Sequence, residues 1–400
     1  MTLDFSVFEE ELADLNLKNL FRRLRTLEPG TGVTAFFRGK EILLFCGNDY
    51  LGLSRHPRVI QAAQNALKSH GTGSGAARLI SGTSDRHTRL EEKLAAFKNK
   101  DQAIVFSAGY LANLGVLTAV AGEKDLIVMD KLCHASLIDG ARLSGAEVRV
   151  FPHKNYARCE EIISNAKDFS KKLLVTDTVF SMDGDLADLS ELVRIKKKYG
   201  CFLIADDAHG TGVLGLFGRG LAEDQKLEGH IDIVTGTLSK ALGTLGGFAA
   251  GSSLMMDYLI NKARSFIFAT SLPPALCAAA LEAIWVIESE PEIRRKLWKN
   301  VQVLHEGLSK QGWPLGPITS PILPLLIGDE KKALQVSEAL LEQGILIPAI
   351  RTPTVPKGKA RLRITVSAAH DEAHIQKLLK ILAKYVPALQ GAGIVNPDMP

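Results

Sequence analysis

The sequence predicts an α/β protein with a mainly parallel sheet, helices on both faces of that sheet, and a smaller α+β domain at the C-terminal end. Two observations predict this fold class. Strand-like apolar runs alternate with helix-like stretches from about residue 100 to 250, and such alternation is typical of parallel sheets. The chain also has 400 residues, which is too long for one ordinary hydrophobic core, so we expect a large domain and a small one.

The predicted elements follow in chain order. Residues 5–28 carry leucines near helical spacing and predict one charged amphipathic helix that ends at Pro29 and Gly30. The strands predicted for the large domain are 103–106, 126–129, 148–151, 173–176, 202–205, 231–234 and 247–250. Pro273 and Pro274 precede an alanine-rich helix at 275–288, and the strands expected beyond it are 322–327, 345–348 and 361–366.

These elements divide the chain into four parts. We expect an N-terminal helix and segment at 1–48, a large cofactor-binding domain at 49–288, and a small C-terminal domain at 289–390. The last residues, 391–400, contain glycine and proline and predict a loose tail.

Composition excludes several classes of protein. The 48 basic and 44 acidic residues leave a net charge of only +4, without a run of five like charges, so no nucleic-acid partner is expected. The five cysteines are scattered and form no CxxC pair, which argues against a disulfide framework or a zinc site and fits a reducing cytoplasm.

Two segments bear on targeting and membranes. Residues 1–11 are acidic and lack an apolar core, so they do not predict a signal peptide. Residues 102–122 carry no charge, but polar residues and glycines interrupt them, and a strand followed by a buried helix explains them better than a membrane span. We therefore expect a cytoplasmic protein with no membrane partner.

Three polar clusters follow predicted strands. They are residues 107–110, with the sequence Ser-Ala-Gly-Tyr, residues 206–209, and residues 235–240. Ligands of open α/β sheets bind beyond the carboxyl ends of the strands. We therefore expect the three clusters to form one site.

Lys240 and Asp206 are the residues of this site that indicate its chemistry. Lys240 has small neighbours, which leave room for it to form a Schiff base with a cofactor aldehyde, although most lysines are solvated surface residues. Asp206 ends an apolar run, where an ionised carboxylate needs a partner such as a protonated pyridine nitrogen. The alternatives for Asp206 are a helix N-cap or a structural salt bridge, and Asp207 is expected to have only a structural role. Together the two residues predict pyridoxal 5′-phosphate as the cofactor.

Other residues of the clusters extend this prediction. His209 could bond the phenolic oxygen of the cofactor and His134 could stack on its ring, although a lone histidine is more often structural. Gly109 and Tyr110 begin a helix directly after a strand, where free backbone amides bind phosphate, and Thr237 could add a hydroxyl.

The remaining motifs are less specific. Residues 71–75 are glycine-rich but lack both the Walker lysine and the dinucleotide fingerprint, so a nucleotide site there has weak support. Neither an HExxH metal motif nor a G-x-S-x-G motif is present, and no metal is predicted. Arg361 and Arg363 alternate along a predicted strand and share one face, where they could bind a carboxylate or simply be solvated.

At these residues the chain resembles the α-oxoamine synthases, a branch of the fold-type I pyridoxal-phosphate enzymes. The resemblance spans most of the chain, through residues 48–53, 73–75, 81–83 with His87, 107–110, 134–136, 180–185, 206–212 and Lys240. Residues 349–356 and 362–370 are most similar to the members of the family that act in biotin synthesis. Asp177-Thr178 and the Thr-Leu-Ser-Lys form of the lysine loop depart from the pattern of some relatives.

The resemblance implies roles for individual residues. It implies that Lys240, His134, Asp206 and His209 are catalytic, and that the cofactor is held by Gly109, Tyr110, His134, Ser181, Asp206, His209, Thr237 and Lys240. It implies that substrate contacts Arg22, Asn48, His134, Thr354 and Arg363, with Arg363 on the amino-acid carboxylate. It also implies a homodimer with active sites at the subunit interface.

The reaction that the resemblance implies is decarboxylative condensation of L-alanine with a pimeloyl thioester, carried by CoA or by a carrier protein, with Lys240 as general base. Glycine C-acetyltransferase or another α-oxoamine synthase is the alternative within the family. A nicotinamide dehydrogenase would need the missing dinucleotide fingerprint, and a binding subunit without activity would be expected to lack the lysine.

Overall fold

The computed structural model describes residues 5–385. Its α-helices are α1 Ser6–Leu17, α2 Pro57–His70, α3 Asp85–Phe97, α4 Gly109–Val120, α5 Ala135–Leu143, α6 Tyr156–Ser164, α7 Leu189–Tyr199, α8 Leu221–Asp224, α9 Ser253–Lys262, α10 Arg264–Ile267, α11 Pro274–Ser289, α12 Pro291–Lys310, α13 Glu330–Glu342 and α14 Glu372–Leu382. Its strands are β1 Glu28–Pro29, β2 Thr34–Phe37, β3 Lys40–Leu44, β4 Gln102–Phe106, β5 Leu126–Asp130, β6 Glu147–Phe151, β7 Lys172–Asp177, β8 Phe202–Asp206, β9 Ile233–Thr237, β10 Gly247–Gly251, β11 Ile322–Gly328, β12 Ile345–Leu346, β13 Ala349–Ile350 and β14 Ala360–Thr365.

The chain divides into two compact units. The large unit is Asn48–Lys296, and the terminal unit combines residues up to Gly47 with residues from Leu297 onward. The sequence predicted an N-terminal segment at 1–48 and a small C-terminal domain at 289–390. In the structure both ends of the chain contribute to the terminal unit, where β3 pairs in parallel with β12, Leu43 opposite Ile345. The predicted tail at 391–400 lies outside the described residues.

The large unit contains a seven-stranded sheet in the order β4-β10-β9-β8-β7-β5-β6. All pairs are parallel except those of β10, which is antiparallel to both β4 and β9. The strands β5, β9 and β10 are buried along their whole length, as expected for a sheet covered on both faces. The predicted α/β architecture, a mainly parallel sheet with helices on both faces, is confirmed. One predicted strand, 231–234, is displaced toward the C-terminus, and Thr235 and Thr237 belong to β9.

Helices pack on this sheet through continuous apolar surfaces. Helix α4 is apolar on every side and packs with α5, α9 and α10, so that Val116, Leu137 and Phe266 share one core with the strands. Helix α11 packs against α2 and α3. Residues 102–122 thus form the predicted strand and buried helix. Among the helices of residues 5–385, none is long and apolar enough to cross a membrane.

The terminal unit has two small sheets, β1-β2-β3-β12 and β11-β14-β13. The prediction of one helix over 5–28 is wrong, since α1 ends at Leu17. Asn19 takes the left-handed conformation with φ of 55°, and the Leu20 amide closes the helix on the Leu15 carbonyl. Helix α1 buries none of its residues, so packing does not prolong it. The predicted strand 345–348 is also too long, since β12 ends at Leu346 and a separate strand, β13, begins at Ala349 after Pro348, which has no amide hydrogen to donate to a ladder.

Candidate active site

The carboxyl ends of three neighbouring strands bring the predicted residues together. Strand β7 ends at Asp177, β8 at Asp206 and β9 at Thr237, and the three strands run parallel in adjacent positions. Lys240 lies in the turn after β9 and is half-buried. The pKa values of His134 and Asp177 both respond to the charges of Asp206 and Lys240, so these four groups lie within electrostatic reach of one another.

Asp206 is only 5% exposed, and both of its carboxylate oxygens accept hydrogen bonds. Oδ2 accepts from the Asn113 amide nitrogen at 2.6 Å and Oδ1 from the Ala208 backbone amide at 2.8 Å. Asp177 lies beside it, and its Oδ2 accepts from the His134 backbone amide at 2.8 Å. Burial, and then the charge of Asp206, raise the pKa of Asp177 well above its usual range. Two neighbouring central strands, β7 and β8, therefore each end in a carboxyl group, and the two groups have different hydrogen-bond donors.

His134 is the N-cap of α5, and its Nδ1 lies 2.7 Å from the hydroxyl of Ser136, which is fully buried. His134 as a whole residue is exposed, and the Tyr110 ring lies edge-on to its ring, 6.4 Å between centroids. Loss of solvent around the ring lowers the pKa of His134, with Asp206 acting to raise it and Lys240 to lower it. The imidazole is therefore neutral at pH 7.

His209 follows β8 and pairs with Tyr50, a residue of the 48–53 segment for which the sequence predicted no role. Its Nδ1 lies 2.7 Å from the hydroxyl of Tyr50, and both residues are buried. The same hydroxyl lies 3.3 Å from the side-chain oxygen of Asn48, one of the predicted substrate residues. Ser181 lies in a turn between Val179 and Leu186, which form an isolated bridge, and it is half-buried.

The start of α4 and the end of β9 form a narrow cradle. A Cβ on Gly109 would lie 3.0 Å from Cβ of Thr237 and 3.2 Å from its hydroxyl, closer than side chains normally approach. A Cβ on Gly247 would lie 2.4 Å from the Ala108 carbonyl oxygen. Thr237 Oγ1 donates to the Gly246 carbonyl at 2.9 Å. Two glycines thus bring a hydroxyl next to the amide end of a helix, the arrangement that binds phosphate.

These groups fit pyridoxal 5′-phosphate. Lys240 supplies a primary amine, Asp206 a carboxylate held by two hydrogen bonds, and the cradle the amide end of a twelve-residue helix. Tyr110 is exposed at that helix end, and its hydroxyl donates to Asp139. The prediction for each of these residues as a cofactor ligand stays a prediction.

Asp207 has the structural role expected of it. Its Oδ2 lies 2.7 Å from Nζ of Lys98, and both side chains are almost fully buried. Its Oδ1 accepts from the Thr178 hydroxyl at 2.7 Å. The Asp177-Thr178 pair that departed from some relatives thus has two different functions here: Asp177 contacts His134, and Thr178 orients Asp207.

Sequence reasoning missed Asn113 and Gly247, and gave no role to Tyr50 and Asp177. Asn113 had a detectable signal, because it is an amide side chain in an uncharged apolar helix and lies four positions after Gly109, on the same helix face. Gly247 had none, since its need for space comes from the start of helix α4, which is far away in sequence.

The other predicted substrate residues lie in the terminal unit. Arg363 and Arg361 are on β14 and are only 5% and 7% exposed, so the alternative of two solvated arginines is wrong. Thr354 and Arg22 are exposed. Burial and the charge of Arg22 lower the pKa of Arg351, which places Arg22 in reach of that guanidinium. The substrate contacts predicted for these residues, and for Asn48, stay predictions.

Comparison with known protein families and relatives gives near-complete matches. The model of the family "Aminotransferase class I and II" matches residues 40–382. An 8-amino-7-oxononanoate synthase of Citrifermentans bemidjiense is 46% identical over 377 residues, covering 94% of this chain and 97% of the relative. The 8-amino-7-oxononanoate synthase 1 of Bacillus subtilis is 42% identical over 390 residues, covering 98% and 100%.

Solved structures with the same fold include enzymes of two specificities. The serine palmitoyltransferase of Sphingomonas wittichii superposes with a TM-score of 0.91 at 32% identity, covering 96% of this chain and 98% of the other. A serine palmitoyltransferase solved with pyridoxal phosphate also gives 0.91, at 34% identity and with 96% and 98% covered. The 8-amino-7-oxononanoate synthase of Francisella tularensis gives 0.76 at 30% identity, covering 87% and 98%.

Proposed function

Because this chain belongs to the class I and II aminotransferase family, we propose that it is a pyridoxal-phosphate-dependent acyltransferase of biotin biosynthesis. It condenses L-alanine with pimeloyl-CoA, or with the pimeloyl group on a carrier protein, and forms 8-amino-7-oxononanoate, carbon dioxide and the free thiol. The observation that carries this proposal is the match of 42–46% identity, over nearly the full chain, to relatives named for that reaction.

The residues at the carboxyl ends of β8 and β9 supply the groups that the reaction needs. Pyridoxal phosphate, when bound, spreads the negative charge that develops at the amino-acid Cα over its ring. Lys240 would hold the cofactor through its aldehyde and, once released, take the Cα proton as general base. Asp206 would keep the ring nitrogen protonated, since its carboxylate is buried and oriented by Asn113 and Ala208.

The surrounding groups position the cofactor and the substrate. The ring of His134 would stack on the cofactor ring. His209 and Ser181 would bond the cofactor at its phenolic oxygen. The tight approach of Gly109 to Thr237 supports a phosphate site there, with Tyr110 at the same helix end. We propose that Arg363 binds the carboxylate of alanine and that Asn48, Arg22 and Thr354 contact substrate.

Serine palmitoyltransferase and glycine C-acetyltransferase are the other specificities of interest. Serine palmitoyltransferases give the higher TM-score, 0.91 against 0.76 for the synthase of Francisella tularensis. A shared fold does not set the substrate, which depends on side chains in the site. Sequence identity supports 8-amino-7-oxononanoate synthase through the relatives, at 46% for that of Citrifermentans bemidjiense, although the solved synthase of Francisella tularensis is 30% identical and a serine palmitoyltransferase 34%. The names of the relatives likewise do not favour glycine C-acetyltransferase.

A substrate matrix tests the proposal. The purified enzyme with cofactor is given alanine, glycine or serine, each with pimeloyl-, acetyl- or palmitoyl-CoA, and thiol release is followed. We expect the highest kcat/KM for alanine with pimeloyl-CoA. A preference for glycine with acetyl-CoA, or for serine with palmitoyl-CoA, would overturn the substrate and leave the cofactor chemistry in place.

We further propose that the enzyme is a cytoplasmic homodimer. All five cysteines lie in described residues and are free thiols, which supports a reducing compartment. Ile80 and Leu79 are 81% and 52% exposed in the single chain, which supports an interface with a second copy.

A further inference from the structure

A chain of hydrogen bonds connects His134 to Asp206 within the candidate active site. His134 Nδ1 lies 2.7 Å from the Ser136 hydroxyl, which lies 2.8 Å from the side-chain nitrogen of Asn113. The same nitrogen lies 2.6 Å from Oδ2 of Asp206, and the Thr235 hydroxyl lies 2.6 Å from the side-chain oxygen of Asn113. Asn113, Ser136 and Thr235 are at most 2% exposed, so water does not compete for these bonds.

The chemistry of the groups fixes the direction of each bond around Asn113. An ionised carboxylate can only accept, so Asn113 must turn its NH₂ group toward Asp206 and its oxygen toward Thr235. The Thr235 hydroxyl then has to donate. The second hydrogen of the NH₂ group donates to the Ser136 hydroxyl oxygen. Both NH₂ hydrogens and the side-chain oxygen of Asn113 are therefore hydrogen-bonded.

The direction of the bonds around Ser136 determines where His134 carries its proton. Since the Ser136 oxygen accepts from Asn113, its own hydrogen is available for Nδ1 of His134. The backbone amide of Ser136 also points at Nδ1, at 3.3 Å. The hydroxyl bond is the shorter and stronger of the two, and with Nδ1 accepting it the single proton of the neutral ring lies on Nε2.

We propose that Asn113 is a positioning residue of this active site: its amide orients the Asp206 carboxylate and, through the Ser136 hydroxyl, holds His134 in the tautomer with its proton on Nε2. The inference rests on the proposed function in one respect, that Asp206 and His134 face the cofactor. The charged groups around His134 are Asp206, Lys240 and Asp139, with Asp177 on its backbone amide. A neutral His134 adds no cation that would compete with the ring nitrogen for the Asp206 carboxylate.

The tautomer is measured by long-range ¹H–¹⁵N NMR on the full chain labelled at histidine, recorded without and with cofactor. His134→Asn identifies the signal. In the wild-type protein we expect an unprotonated Nδ1 and a protonated Nε2. In Asn113→Ala and Ser136→Ala we expect both nitrogens to shift toward the values of a mixture of tautomers.

A matched control and a second readout accompany this measurement. Ser144→Ala removes a hydroxyl from the other end of α5, where it bonds only the helix carbonyl of Ala141 and the Ala146 amide, and should leave the His134 signals unchanged. With cofactor, Asn113→Ala should lower kcat by about ten- to a hundredfold, the equivalent of one hydrogen bond to a charged group, with little change in KM for alanine. Should Asn113→Ala fail to fold, Ser136→Ala carries the NMR test.

The outcomes separate this inference from the proposed function. A proton on Nδ1 in the wild-type protein, or the wild-type tautomer in both Asn113→Ala and Ser136→Ala, would overturn the inference even if thiol release were normal. The Nε2 tautomer with its loss in both variants would support it even if no acyl-CoA released thiol, and in that case the proposed function would fail alone.

Discussion

At the scale of single residues, the lack of a side chain is as important to the site as any functional group. Gly109 allows the start of α4 to approach Thr237 at the end of β9, and Gly247 allows the start of β10 to approach the Ala108 carbonyl before α4. The close approach of Gly109 puts the Thr237 hydroxyl beside the N-terminal end of α4. The cofactor phosphate would therefore be bound by backbone geometry that only these two glycines permit.

Lys240→Ala tests the residue on which the chemistry depends. We expect it to abolish turnover and the visible absorbance of bound cofactor, because no other group of the site can take both roles of the ε-amine. Absorbance spectra and thiol release measure the two effects. Lys262→Ala, at the end of α9, serves as a control that should behave as wild type. Retained turnover or absorbance in Lys240→Ala would remove the assignment.

At the scale of elements, two charged clusters hold the loops that carry the site. His153 lies between Asp130, at the end of β5, and Asp185, in the turn that contains Ser181. Its ring packs edge-on against Phe180, 4.4 Å between centroids. Lys98 at the end of α3 bonds Asp207, Thr211 and the Arg219 carbonyl, which ties the segment after β8 to the helix.

His153→Gln should destabilise the protein most at pH 6 and least above pH 9. Burial alone would lower the pKa of His153, but hydrogen bonds and charges of Asp130 and Asp185 outweigh it and raise the pKa to about 9. A raised pKa adds stability that is fully present below about pH 6.5 and is lost as pH rises through 9. We expect a difference on the order of 2 kcal/mol at pH 6.

Thermal unfolding of wild type and His153→Gln from pH 6 to 10 measures this difference. His305→Gln is the control, since that ring bonds the neutral carbonyl of Gly316 and its removal breaks no ion pair of the loop. A His153→Gln deficit that stays constant or grows with pH would show that the ion pairs do not stabilise the loop.

Lys98→Met should cost roughly 3 kcal/mol or more, because it leaves Asp207 as an unpaired charge in the protein interior. In the double variant with Asp207→Asn we expect a total loss smaller than the sum of the single losses. Unfolding in urea measures both. Lys100→Met is the matched control, since the hydrogen bonds of Lys100 go to the backbone carbonyls of Glu228 and Ile231 and not to a carboxylate. Equal losses in Lys98→Met and Lys100→Met would contradict the role of the pair.

How much was predictable depends on whether a feature has a local cause. The strands of the large unit were predictable because buried parallel strands are continuous apolar runs, and Lys240, Asp206 and His209 because they follow such strands. The early end of α1 depends on the conformation of Asn19, which no periodicity indicates. The antiparallel direction of β10 and the partners of Asn113 arise from contacts between distant segments, so the sequence alone could not supply them.

At the scale of the whole molecule, the exposed apolar residues of the single chain are most informative. Leu79 and Ile80 follow Ala77, which pairs with Thr270, and the nearby Phe268 is also exposed. Three large apolar side chains in linked segments form the kind of surface that a soluble chain covers by association. These residues are therefore where we expect the second copy of the proposed homodimer.

Light scattering tests this expectation. The wild-type protein should have twice the mass of the 43.3 kDa chain, and Ile80→Glu should shift it toward that of the single chain. Ile60→Glu, at an exposed apolar position of α2, is the control that should leave the mass unchanged. A wild-type mass of one chain, or a dimer that tolerates Ile80→Glu, would contradict the proposed interface.

The position of β10 also determines when the site can form during protein synthesis. Among residues 5–385, strand β4 pairs only with β10, which separates it from β9 in the sheet. When synthesis has just passed Lys240, the nascent chain already contains nearly all the predicted cofactor ligands. Strand β4 and the helix α4 that follows it still lack the neighbouring strand with which β4 pairs. The proposed phosphate cradle therefore assembles only after Gly247–Gly251 has emerged. A nascent chain that stalls before this strand would carry Lys240 but not the cradle in which we propose that the cofactor phosphate binds.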